Sequence, residues 1–181
     1  MPFFAAQIWT GSEGKFLSLI QKSTHRFPVR FIWPRRKLRI RRGGRWRDAL
    51  APIFPSYVFI QAEAIAPELF RAMRLTPGFL HFLLSNDNIV PMDHKDQDLL
   101  NHFLSFGEVV DKSMISFDEN NRIRVISGPL KGLEGLIVKV DRRKRRAKVR
   151  LALYADSFNI DFGFDVMEAI RSKTPSEPPK M

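Results

Sequence analysis

The chain has 181 residues, 44% of them hydrophobic, enough to bury the core of one medium domain or two small ones. Thirty Lys/Arg against nineteen Asp/Glu give a net charge of +11, which favours a polyanionic partner. There is no cysteine, so disulfides, thiolate metal sites and cysteine nucleophiles are excluded together. No apolar run approaches the ~18 residues of a membrane span. The segment from Met1 to Ala6 lacks the basic start and long apolar stretch of a secretory signal, so a cytoplasmic chain is expected. Half of the thirty basic residues sit in two blocks, eight between Arg35 and Arg47 and seven between Arg142 and Arg150. Residues 61–120 instead hold ten Asp/Glu against four Lys/Arg. One-signed blocks set between strand-like runs read as loops or hairpins of folded domains rather than tails.

In chain order, Phe3 to Trp9 reads as an opening strand. Thr10, Gly11 and Ser12 supply a turn and a helix N-cap. Phe16, Leu17, Leu19 and Ile20 form the stripe of a helix over 13–25, which ends before Pro28. A short extended run from Val29 to Trp33 leads into a basic hairpin. There Leu38 and Ile40 point one way and arginines the other, ahead of a Gly43–Gly44 turn and Trp46. A strand from Ala51 to Ile60 is entered through prolines. A helix over 66–74 aligns Leu69, Phe70 and Met73, with Pro67 in its first turn, where an N–H is dispensable. Thr76, Pro77 and Gly78 turn into a strand over 79–84, and Ile89–Val90 reads as a further short strand. Asp93 then caps a helix whose Leu99, Leu100, Phe103 and Leu104 face a core. This order predicts an α+β domain over 1–107, an antiparallel sheet backed by helices.

Residues 108–119 show no periodicity and are expected to be a linker. From 120 to 171, alternating runs near 122–127, 135–141, 146–153 and 158–162 predict a small five-stranded, SH3-like β-barrel. Its most specific stretch is Gly128, Pro129, Leu130, Lys131 and Gly132 through Gly135, where glycines let the chain bend sharply between two strands. Residues 172–181, with three prolines, are expected to be a disordered tail.

That glycine segment with its flanking strands resembles the KOW motif, and the rest of the chain then resembles the NusG family over about residues 3–170. Ile53 to Phe59 is similar to the family's Leu-Phe-Pro-Gly-Tyr-Val signature, with Ser56 in place of its glycine. Thr76, Pro77, Gly78 and Phe79 match its Thr-Pro-Gly-Val turn, and Ile89 to Met92 its short strand before the last helix. The resemblance implies a factor that rides on RNA polymerase, its N-terminal domain seated on the clamp of the largest subunit. By position the docking patch falls on Phe54, Tyr57 and Phe59, with Phe82 beside them; the competing reading makes these residues core.

Two basic surfaces are candidates for nucleic acid. Arg35, Arg36, Lys37, Arg39, Arg41, Arg42, Arg45 and Arg47 lie on the hairpin, where guanidinium forks suit phosphate and Trp46 could stack on a base. Family position points this hairpin at upstream or non-template DNA, or nascent RNA. Arg142, Arg143, Lys144, Arg145 and Arg146 join two barrel strands and suit an RNA hairpin's phosphates. This basic turn resembles specialised paralogs of the LoaP type, which antiterminate long operons. Leu133, Leu153 and Tyr154 keep the apolar character of the corner that binds Rho and a ribosomal protein in the general factor. Asp156 reverses its charge, which counts against Rho and leaves the ribosome as an alternative partner. A specialised antitermination factor, monomeric and without membrane or cofactor, is therefore the expectation. A general NusG elongation factor and a ribosome- or RNA-associated KOW protein are the alternatives. The Ile/Val alternation and glycines favour a barrel over the helical hairpin of RfaH-type relatives. Asp93, His94, Asp96 and Asp98 read as a helix's acidic first turn rather than a metal site, and no catalytic motif appears.

Overall fold

The computed structural model describes residues 1–154 and 156–167. In the first half of the chain the elements are β1 (Phe3–Ile8), α1 (Glu13–Thr24), β2 (Arg30–Ile32), β3 (Arg35–Arg42), β4 (Arg45–Pro52), β5 (Tyr57–Gln61), α2 (Pro67–Leu75) and β6 (Phe79–Phe82). There follow α3 (His94–Leu104), β7 (Val109–Val110), β8 (Ser113–Phe117), β9 (Ile123–Ser127), a 3₁₀ turn (Glu134–Leu136), β10 (Ile137–Asp141), β11 (Arg146–Leu153) and β12 (Asp156–Val166). Among these residues no helix is long and apolar enough to cross a membrane.

A four-stranded antiparallel sheet, ordered β2-β5-β1-β6, carries the N-terminal domain. Its two central strands are apolar on both faces, as expected of strands covered on both sides. Phe4, Ala6, Ile8, Val58, Ile60 and Phe82 share one core with Phe16 and Ile20 of α1 and Leu69 and Met73 of α2. Phe3, Ala5, Tyr57 and Phe59 belong to the opposite core with Phe54 and with Leu100 and Phe103 of α3. Asp93 caps α3 by accepting the Asp96 N–H at 2.7 Å, satisfying a helix donor that would otherwise lack a partner.

Ser56, where the family signature has glycine, sits at φ +71, a left-handed conformation that a side chain disfavours. Three bonds hold it there. Its N–H donates to the buried Glu13 carboxylate at 2.8 Å, its hydroxyl shares a 2.7 Å bond with Thr10, and its carbonyl accepts from Ile8. The basic hairpin β3–β4 closes through Gly43 and Gly44, both with positive φ.

Three local expectations differ. The strand expected from Ala51 to Ile60 is broken at residues 53–56, so that Ala51 and Pro52 end β4 while Tyr57 opens β5 in another sheet. Ile89–Val90 forms no strand; the region instead touches β1 through a Met92 N–H to Phe3 O bond of 2.7 Å. Residues 108–119, read as a linker, supply two strands. β7 pairs in parallel with β3, and β8 opens the barrel beside the end of β12 and antiparallel to β9. Runs of two and five residues are too short to show a period, and pairing partners far along the chain fix them. The expected tail over 172–181 and Ala155 lie outside the described residues, as does the Asp156 side chain.

The barrel sheet runs β10-β11-β12-β8-β9. β12 is long enough to pair with β11 from Asp156 to Gly163 and with β8 from Phe164 to Val166. Between β9 and β10 the glycine turn folds onto the start of β8. Gly128 has φ +94, and a Cβ there would lie 2.7 Å from Ser113 Cα, while Ser113 Oγ accepts the Leu130 N–H at 2.9 Å. Only glycine meets both demands at once. Gly128→Ala should therefore destabilise the barrel by at least ~2 kcal/mol, left-handed strain and backbone collision adding together. A urea titration followed by circular dichroism measures this, and an unchanged midpoint would refute the fit.

Candidate functional site

The opposite core does not stop at the N-terminal domain. Phe54, Tyr57, Phe59 and Phe103 share it with Val149, Leu151, Leu153, Ile160 and Phe162 of β11 and β12, so one apolar mass runs through both domains. Phe103 stacks on Phe162 with ring centres 5.4 Å apart, and Phe158 stands edge-on to Tyr57 at 5.7 Å and to Phe54 at 6.5 Å. Such pairs contribute ~0.5–1.5 kcal/mol each beyond area burial. β12 presents this face because Phe158, Ile160, Phe162 and Phe164 alternate along it.

Polar groups frame the seam. The Asp96 carboxylate accepts the Tyr154 N–H at 2.9 Å, and His102 Nε2 donates to Pro129 O in the glycine turn at 2.8 Å. Arg36, 7% exposed, spans the domains from β3. It donates to Pro52 O and Asp161 O and lies over the Phe162 ring, 5.6 Å from its centre. Burial pulls its pKa down to about 10, Asp161 opposing and Arg146 adding to the fall, so it stays charged at neutral pH. Beside it, a Cβ on Gly163 would lie 2.9 Å from Lys37 O, so β3 and β12 approach too closely for a larger residue.

This arrangement redistributes the residues singled out by sequence. Phe54, Tyr57 and Phe59 form one aromatic face, but it lies under the barrel rather than in solvent. Phe82 is not beside them: its strand position turns it to the other side of the sheet, against α1 and α2. Leu153 is 1% exposed in the seam, Tyr154 is half-buried where its N–H meets Asp96, and Leu133 is partly buried against the same core. Burial and Asp96 drive the Tyr154 phenol far above its ordinary pKa. Of the motif residues, Leu130 is buried, while Lys131, Gly132 and Gly135 are exposed.

The hairpin's basic residues divide by face. Arg36 is withdrawn into the seam and is not available to phosphate, a correction to its sequence assignment. Lys37 pairs with Asp111 at 2.8 Å. Cross-strand register puts Arg35, Lys37, Arg39 and Arg41 with Trp46 on one side, where Arg39 lies 5.1 Å from the Trp46 ring centre. Arg42, Arg45 and Arg47 share the other side with Arg36, Leu38 and Ile40. In the barrel turn, Arg142 lies 3.8 Å over Phe117, Arg145 pairs with Asp165 at 3.3 Å, and Lys144 approaches Asp141 at 3.9 Å. Arg143 is exposed. Sequence reading missed Lys139, Lys148 and Asp161, which line a concavity with Asp141, Lys144 and Arg146. The outward position of Lys139 and Lys148 in their alternating strands was the available signal. Among the described residues no three His, Asp or Glu could hold a metal ion.

Residues 1–101 match the family model described as transcription termination factor NusG, and residues 119–151 match that of the KOW motif. The chain is 23% identical over 177 residues to the transcription termination/antitermination protein NusG of Thermus thermophilus, covering 90% of this chain and 95% of that protein. Against the protein of the same name from Escherichia coli the identity is 22% over 173 residues, 92% and 94% covered. A solved structure titled "Domain interaction in Thermotoga maritima NusG" superposes with a TM-score of 0.58 at 19% identity, covering 90% of this chain and 93% of that one.

Desolvation raises the Asp96 carboxyl above its ordinary range, Asp93 adding while the Tyr154 N–H and Lys95 oppose. A raised folded-state pKa disfavours the ionised form, so this group's contribution is fully present below the ordinary carboxylate value and is lost as pH rises through the raised one. Asp96→Asn keeps an acceptor without the charge. It should flatten the thermal-midpoint profile above the ordinary carboxylate value and leave the neutral-pH midpoint equal or higher. A profile parallel to that of the parent chain would show that Asp96 does not carry the dependence.

Proposed function

The chain belongs to the NusG family of transcription factors, and from that premise we propose that it docks on RNA polymerase through the face built by Phe54, Tyr57 and Phe59. The observation that carries this reading is the concentration of aromatic side chains on one side of the sheet, the kind of anchor that dominates protein interfaces. Held against the clamp of the largest subunit, such a domain opposes clamp opening and suppresses pausing. The two basic hairpins supply a second attachment to nascent RNA or to upstream or non-template DNA, which makes the factor a processive antiterminator of particular operons.

The same face is covered by β12 in this arrangement. Polymerase therefore competes with the barrel for it, and the factor acts once the domains part. A full-length likeness to proteins named for termination and antitermination favours a second reading, a general elongation factor. The two differ in template dependence, since the specialised factor needs a leader element and the general one does not.

Phe54→Ala with Tyr57→Ala should cost at least ~2 kcal/mol of polymerase affinity and abolish readthrough in a purified transcription assay. A disulfide across the seam, Asp96→Cys with Tyr154→Cys in this cysteine-free chain, should block polymerase binding until reductant is added. Full binding by the oxidised, locked chain would refute competition for the face. Unchanged readthrough by the double alanine variant would refute the face itself.

A further inference from the structure

The two basic blocks, about a hundred residues apart in the chain, meet. Arg146 Nη2 donates to Arg39 O at 2.7 Å, tying the root of the barrel turn to the middle of the N-terminal hairpin. The contact continues along β3: Lys37 O lies against Gly163, which pairs with Arg146, and Arg36 reaches Asp161, which pairs with Lys148. Strands β3, β12, β11 and β10 thus lie abreast. From this junction both hairpins continue in one direction, β3–β4 toward Arg42 and Arg45, and β10–β11 toward Arg142 to Arg145.

Between the tips and the seam lies a concavity lined entirely by charged residues: Lys139, Lys144, Arg146 and Lys148 against Asp141 and Asp161. Asp161 is shared, 3.6 Å from Arg146 and 3.5 Å from Lys148, so the cations outnumber the carboxylates. Alongside, Arg42, Arg45 and Arg47 are exposed on the hairpin face that also carries Arg36, whose side chain reaches Asp161 and Phe162 of the barrel. Like charges gathered on both sides of a domain contact repel each other at that contact. A polyanion laid across them removes the repulsion and is attracted by both sets.

We propose that the docked domains form one continuous track for the phosphate backbone of a single nucleic-acid strand, running from Arg42, Arg45 and Arg47 across the Arg39–Arg146 junction to Lys139, Lys144 and Lys148. This rests on the reading of the two hairpins as nucleic-acid surfaces and adds that neither is the complete site. The track exists when the seam is closed, so by linkage a bound strand tightens the seam, and loosening the seam weakens the strand. A strand bound here therefore opposes exposure of the Phe54–Tyr57 face, and once polymerase takes that face the track divides, leaving each hairpin only its own, weaker part of the attachment.

The test is fluorescence anisotropy with labelled single-stranded RNA and DNA of about 20 nucleotides, longer than the ~4–16 that one small barrel covers. The full chain should bind one strand. Arg42, Arg45 and Arg47 changed together to Gln, or Lys139, Lys144 and Lys148 changed together to Gln, should each weaken that one event about tenfold or more. Each set should also flatten the log–log salt slope by about 2, near 0.7 per lost phosphate contact. Phe158→Ala and Gly163→Val, which loosen the seam without removing a charge, should weaken binding as well. A preference between the RNA and DNA arms assigns the source of the strand and supports the same track. Two strands per chain, each lost with one block, would overturn the proposal, as would full affinity in both seam variants. Failure of the unaltered chain to bind either strand would instead overturn the nucleic-acid reading beneath it.

Discussion

Everything distinctive in this molecule depends on the aromatic contact between the N-terminal sheet and β12. Phe103 stacked on Phe162, with Phe158 edge-on to Tyr57 and Phe54, joins the interior of the barrel to one face of the sheet. Within the N-terminal domain Phe54 also packs edge-on to Phe59 and Phe103, so the contact extends an existing aromatic cluster. The seam is apolar at its centre and polar at its margins, where Asp96, His102 and Arg36 satisfy backbone groups of the other domain or of the hairpin. Those margins set register without supplying most of the stability, because each exchanges a hydrogen bond to water for one to protein.

Arg36 shows how tightly charge and packing are joined. A buried guanidinium is costly unless paired, and here it is held by two carbonyls, an aromatic face and the Asp161 carboxylate nearby. Its neighbours on the hairpin remain outside and charged. The same strand thus contributes one residue to the seam and several to a basic surface, so changes of domain position and of electrostatic surface are inseparable. A factor of this family that closes its barrel over its aromatic face also gathers its charges, and opening the seam would disperse them.

Most local structure was legible. Periodicity located all three helices, the capping Asp93, the basic hairpin with its double-glycine turn and four of the five barrel strands, because each depends on residues close in sequence. The linker reading failed for the opposite reason: β7 and β8 are stabilised by β3 and β12, whose positions short runs cannot reveal. Tyr57, Val58, Phe59 and Ile60 did carry a readable sign. A strand apolar on both faces announces that both are covered, and sequence could not say that one cover is the other domain.

By itself, then, the sequence determined the family, the two domain types and the inventory of aromatic and basic side chains, since motifs and periods are written in short stretches. Only the tertiary structure decided that Phe82 faces away from Phe54, that Arg36 is buried, and that two basic blocks a hundred residues apart touch. The physical reason is that accessibility and charge proximity depend on how the two domains pack, and that packing is set by shape and apolar area summed over both surfaces rather than by any local run of residues.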